Sequence, residues 1–94
     1  MSSKLQNKLL KELRKKDIFA FSLNAGAISR AGLPDVLILG DGNTAVFAEI
    51  KEPGDRLSRL QEETIEVIKG LGYPVFVIRN KVQIEELVSL VRGL

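Results

Sequence analysis

The stretch PDVLILGDGNTAVFAEIK, residues 34–51, decides how this chain folds. Residues 36–39 are a strand-length apolar run, residues 40–43 have the composition of a tight turn, and residues 45–50 form a second apolar run. Together they predict a β-hairpin. Along its second arm, the side-chain period of two places Phe47, Glu49 and Lys51 on one face and Val46, Ala48 and Ile50 on the other. A carboxylate and an amine therefore leave the same side of an otherwise apolar strand. Asp35, at the far end of the first arm, can stand opposite them.

Working outward from the hairpin, the flanks alternate between helix and strand patterns. Residues 4–16 predict a helix with Leu5, Leu9, Leu10 and Leu13 on one stripe and lysines opposite. Gln6 projects from within that stripe and needs a polar partner. Residues 18–23 predict a strand, and residues 24–32 are a small-residue loop carrying Arg30, read as a functional loop. After a turn at residues 52–55, a helix is predicted over residues 57–71, with Leu57, Leu60, Thr64, Ile65, Ile68 and Leu71 as its buried stripe and Gln61 in the middle of it. Gly70, Gly72 and Pro74 stop it. Residues 75–78 are continuously apolar, the pattern of a parallel strand buried on both faces. Asn80 and Gln83 have capping-box spacing and open a last helix on Ile84, Leu87, Val88 and Val91.

The order is α-β-β-β-α-β-α. Strands one to three can form a meander, and strand three, its following helix and strand four a right-handed crossover. The fold class is α/β, a mixed four-stranded sheet flanked by helices, within a single domain of 94 residues. A cleft where meander meets crossover would collect Asp35, Glu49 and Lys51.

Composition narrows the chemistry further. The chain has no His and no Cys, which excludes imidazole or thiolate ligands, disulfides and a His general base. It has no apolar run of membrane-spanning length and no secretory h-region, so an intracellular location and no membrane partner are expected. Net charge is +2, but residues 1–33 carry +5 and the remainder −3. Lys4, Lys8, Lys11, Arg14, Lys15, Lys16 and Arg30 give that first third a surface able to meet a polyanion. A solvated lysine-rich helix face would have the same composition.

Two carboxylates converging on one point repel unless a cation lies between them. With oxygen donors alone, Asp35, Glu49 and the backbone carbonyl of Ile50 suit Mg²⁺ or Mn²⁺. Such an ion binds phosphate oxygens and can activate water. Lys51 can orient or deprotonate that water, or neutralise charge building on a phosphate. Each residue alone has a plainer reading: an E-x-K surface ion pair, an aspartate beginning a strand after proline, a loop arginine in solvent, and Gln61 capping its own helix through Ser58. Their order and spacing are what combine them.

In that order and spacing, Pro34-Asp35 and Glu49-Ile50-Lys51 resemble the PD-(D/E)xK nucleases. More narrowly, Gly32-Leu33-Pro34-Asp35, the Glu49-Ile50-Lys51 strand, the run from Pro53 to Ser58, Gln61, and Gly72 before an apolar strand resemble the VRR-NUC family, over residues 5–80. The resemblance implies a restriction-endonuclease-like fold and metal-dependent endonuclease activity. It implies Asp35 and Glu49 as metal ligands beside the Ile50 carbonyl, Lys51 as the catalytic lysine, and Gln61 hydrogen-bonding within the active site. Gln6 stands where members tend to have a glutamine. Many members have a glutamate near the start of the first helix; here Ser3 and Lys4 occupy that region, and Glu12 is the acidic residue the helix offers. Compact stand-alone members, often phage-encoded and thus active in a bacterial cytoplasm, imply a homodimer on branched DNA such as Holliday junctions. A non-catalytic DNA-binding or assembly module on the same fold, and a flap or duplex endonuclease without junction preference, are the alternatives.

Overall fold

The computed structural model describes residues 3–23 and 30–92. The elements are α1 (Lys4–Lys15), β1 (Phe19–Ser22), β2 (Val36–Gly40), β3 (Thr44–Ile50), α2 (Arg59–Gly70), β4 (Val75–Ile78) and α3 (Lys81–Arg92), the predicted order with ends shifted by up to two residues. They form one sheet in the order β1-β2-β3-β4, with β1, β2 and β3 antiparallel and β4 parallel to β3. This is a mixed sheet of meander plus crossover.

Hairpin register follows from the turn. Gly40 pairs with Thr44, and Gly42 and Asn43 take left-handed φ values of 67° and 63°, which these two residue types tolerate best. That register puts Ala20, Ile38 and Val46 in one row and Val36, Ala48 and Phe76 in the next, all on a single face. Against this face pack Leu9 and Leu13 of α1 and Ile84, Leu87, Val88 and Val91 of α3. The core is therefore a two-layer sandwich of sheet and two helices.

Among the described residues, the opposite face is covered only in part. A single crossover helix, α2, lies over β4 there, and of its predicted buried stripe only Ile65 is fully buried. Leu60 (48% exposed) and Leu71 (72%) are open, because one helix cannot cover four strands. Phe19 and Phe21 of β1 and Leu39 of β2 are likewise exposed on this face. The expectation for β4 also changes: Val75, Phe76 and Val77 are half-buried and only Ile78 is fully buried, since β4 is an edge strand. Its parallel pairing holds.

Candidate active site

The site forms at one end of the sheet, where β2 begins and β3 ends. Val36 is the last residue of β2 to pair with β3, opposite Ala48. One residue earlier, the Asp35 side chain takes over from the backbone: the Ile50 amide donates to Asp35 Oδ2 at 2.7 Å. The Asp35 carbonyl accepts from the Leu23 amide at 2.8 Å, and the Lys51 amide donates to the Ile78 carbonyl at 3.0 Å. Asp35, Ile50 and Lys51 are thereby fixed to β1, β2, β3 and β4 at once. The preceding Gly32 has φ of +87°, and a Cβ there would lie 2.7 Å from Leu60 Cγ and 3.0 Å from Thr64 Oγ1. Only glycine lets the segment leading into Asp35 pass this close to α2.

Strand alternation puts Val46, Ala48 and Ile50 in the core and turns Glu49 to the α2 side, as the sequence predicts. Glu49 is nonetheless only 1% exposed. Its Oε2 lies 3.8 Å from Lys51 Nζ, and its Oε1 is buried with no hydrogen-bond partner. Burial pushes the Glu49 carboxyl up to about 7, and the Asp35 carboxyl beside it pushes the same way, while Lys51 partly offsets both. An apolar pocket and a second acid thus favour a neutral Glu49.

This arrangement fits a divalent cation. Two carboxyls meet at a sheet end, and a buried carboxylate oxygen without a partner is costly unless something binds it. Among the described residues, no third Asp, Glu, His or Cys joins them. The two carboxyls offer oxygen donors alone, which suits a hard cation.

Other predicted residues divide by their position along α1 and α2. Gln6 is buried, and its Nε2 donates to Ser22 Oγ at 3.2 Å, the polar partner its place on an apolar stripe requires. Ser22 pairs with Val36, next to Asp35, so Gln6 braces the site's end of the sheet. Glu12 lies elsewhere. It is within 3.6 Å of Lys8 and 3.3 Å of Lys15, and its carboxyl is held below the usual range, chiefly by Lys15. It lines a cavity of about 520 Å³ with Lys16, Glu85, Val88, Ser89 and Arg92, at the opposite end of the molecule from Asp35. Lys15 and Lys16 share that far end, and Lys4 stands at the near one.

Gln61 caps its own helix: the Ser58 amide donates to its Oε1 at 2.8 Å and its amide donates to Ser58 Oγ at 3.1 Å. Its side-chain oxygen is thereby committed to the start of α2. Arg30 is exposed, and residues 24–29 of the predicted functional loop lie outside the described residues.

Arg79 was not singled out by the sequence. Its Nη1 donates to the carbonyls of Asp55 (2.6 Å) and Glu52 (3.2 Å), and its amide donates to Gln83 Oε1 (2.6 Å). The Asn80–Gln83 cap consequently departs from the predicted box, with the return bond going to Arg79 rather than Asn80. An arginine ending an apolar strand, just after a Pro-Gly turn in space, is a signal visible only once β3 and β4 are known to be neighbours.

The fold has restriction-endonuclease-like architecture, and the family it matches makes it a nuclease domain. The VRR-NUC domain profile matches residues 2–81, and the chain belongs to the VRR-NUC family. A solved structure described as a VRR_NUC domain is similar at 21% identity and TM-score 0.78, over 92% of this chain and 91% of that one. Archaeoglobus fulgidus Hjc, a Holliday junction resolvase from an archaeal hyperthermophile, is similar at 25% identity and TM-score 0.57, over 81% of this chain and 65% of that one. No curated protein matches the chain.

Proposed function

We propose that this chain is an endonuclease that hydrolyses phosphodiester bonds in branched DNA with the help of Mg²⁺ or Mn²⁺. The observation that carries the reading is the pairing of Asp35 and the buried Glu49 at the sheet end with Lys51 beside them. Asp35, Glu49 and the Ile50 carbonyl would hold the cation. When bound, it supplies positive charge for the phosphate oxygens and lowers the pKa of water.

The chain's own residues do the rest. Asp35 is pinned by the Ile50 amide, so its carboxyl is held in place at the sheet end before substrate arrives. Lys51 is 19% exposed, so its ammonium can leave Glu49 for a non-bridging phosphate oxygen and stabilise the charge that builds during attack by water. The Gln61 Nε2 donors can orient that water or the phosphate, and Gln6 keeps the end of β1 in register. The products carry 5′-phosphate and 3′-hydroxyl.

Lys4 and Lys8 at the near end of α1 contact the sugar–phosphate backbone, and Lys11, Arg14, Lys15, Lys16 and Arg30 attract it at longer range. Preference for a junction draws support from the activity named for the Archaeoglobus protein. A homodimer would set two sites about a two-fold axis. The uncovered face with Phe19, Phe21, Leu39 and the α2 flank Leu60, Val67 and Leu71 suits it, because a sheet floor and a helix wall can each fill the other's gap in a second copy. The fold is proposed to be one domain of 94 residues working inside the cell; no described helix is long and apolar enough to cross a membrane.

The test is cleavage of labelled four-way junction, flap and linear duplex with Mg²⁺, Mn²⁺ or EDTA. Symmetrical, metal-dependent nicks at the junction support the reading. Equal cutting of all three makes the protein a general endonuclease, and binding without cutting makes it a module.

A further inference from the structure

Beside the site, on the other side of the sheet from α2, lies a groove of about 530 Å³ lined by Ser3, Lys4, Leu5, Lys8, Glu52 and Lys81. Its lining carries three lysines and one glutamate. Three chain connections tie this groove to the reacting end. Glu52 directly follows Lys51. Leu5 precedes Gln6, which is bonded to Ser22 across from Val36, the neighbour of Asp35. Lys81 opens α3 three residues after Ile78, whose carbonyl holds the Lys51 amide. The groove and the Asp35–Glu49 pair therefore occupy the same end of the sheet on its two faces, and a chain of phosphates laid over that end meets both.

We infer that this groove is the track for the nucleic-acid backbone flanking the cleaved bond, with Lys81 of α3 as a phosphate contact alongside Lys4 and Lys8. The inference rests on the function proposed above for its ligand class. Lys8 is within 3.6 Å of Glu12, but its side chain is 42% exposed, and so open a pair yields readily to a phosphate. Glu52 is exposed, and its backbone rather than its side chain is held by Arg79. Its carboxylate therefore opposes the phosphates and sets an upper limit on affinity. Contacts of this kind give position and attraction without reading bases.

The experiment measures binding of fluorescent duplex and four-way junction in EDTA over a range of salt, and cleavage of the same DNAs in Mg²⁺. Lys81→Ala is compared with Lys69→Ala, an equal charge change at the far end of α2. Lys81→Ala should weaken binding about 5-fold and lower the salt slope by about 1, and Lys4→Ala/Lys81→Ala should lower it by about 2. Lys69→Ala should change affinity less than 2-fold. Glu52→Gln should tighten binding roughly 2-fold to 3-fold, a gain that damage to the fold would not produce.

Wild-type affinity and salt slope in both lysine variants would overturn the groove while leaving the nuclease reading intact. Binding that depends on Lys81 without any cutting would uphold the groove and defeat the nuclease reading. A wild-type protein that binds neither DNA defeats both.

Discussion

Asp35 and Ile50 are joined across the end of the hairpin by a 2.7 Å hydrogen bond from the Ile50 amide to the Asp35 carboxylate. That one contact closes the β2–β3 ladder, fixes a carboxylate next to Glu49, and satisfies an amide that would otherwise be left at the strand end. The structural and chemical roles of Asp35 can be separated by substitution. Asp35→Asn keeps an acceptor for Ile50 and removes a charge facing Glu49, so in EDTA its Tm at pH 7.5 should equal or exceed that of wild type. Asp35→Ala leaves the amide unpaired and should cost about 1–3 kcal/mol. Mg²⁺ should raise the Tm of wild type, and both variants should lose that gain together with activity.

Glu49 should give the metal-free protein a pH-dependent stability. Its folded pKa of about 7 lies above the ordinary 4.5, so between those values the folded protein holds a proton that the unfolded chain has released. The stability this contributes is complete below about pH 4.5 and is lost as pH rises through about 7, a change on the order of 2–3 kcal/mol. Thermal melts in EDTA from pH 4.5 to 8 should show the decline, and Glu49→Gln should flatten it. Cation binding must displace the proton, so the Mg²⁺-induced rise in Tm should itself grow from pH 5.5 to 7.5. A rise independent of pH would contradict this.

Arg79 holds the turn that follows the E-x-K strand. Its guanidinium ties the carbonyls of Glu52 and Asp55 to the end of β4, one residue beyond the bond between Ile78 and Lys51. Arg79→Ala should lower kcat about 10-fold or more with KM nearly unchanged, because misplacement of a reacting group costs rate rather than binding. Amide exchange over residues 51–56 should quicken, and Arg79→Lys should recover part of both. Unchanged exchange and kcat would assign Arg79 to solvent.

The uncovered face predicts the oligomeric state. Phe19→Asp combined with Val67→Asp should convert a dimer at micromolar concentration to a monomer by light scattering, with each fold retained by circular dichroism. A wild-type protein that is strictly monomeric would contradict the proposed two-fold assembly.

What could be read from the sequence was whatever periodicity carries. Alternation in residues 45–50 separated Ala48 and Ile50 from Glu49, and the stripe on α1 marked Leu9, Leu13 and the buried Gln6. The same reasoning overstated burial on α2 and β4. Apolar spacing reports which face is apolar, and whether that face is covered depends on how many helices share one side of the sheet. Leu60 and Leu71 are exposed because, among the described residues, the topology supplies one crossover helix there. At the site, the hairpin spacing placed Asp35 near Glu49, but the bond from Ile50 to Asp35 needed the strand end in three dimensions. Arg79 and Glu52 lie 27 residues apart, and nothing local joins them.

The central claim is that Asp35, Glu49 and Lys51 form a metal-dependent phosphodiesterase centre. Single-turnover cleavage of a labelled four-way junction by wild type and Lys51→Ala, each with Mg²⁺ or with EDTA, tests it most directly. The account predicts paired nicks by wild type in Mg²⁺, none in EDTA, and a rate at least 100-fold lower for Lys51→Ala with junction binding retained. Undiminished cutting in EDTA, or by Lys51→Ala, would contradict it.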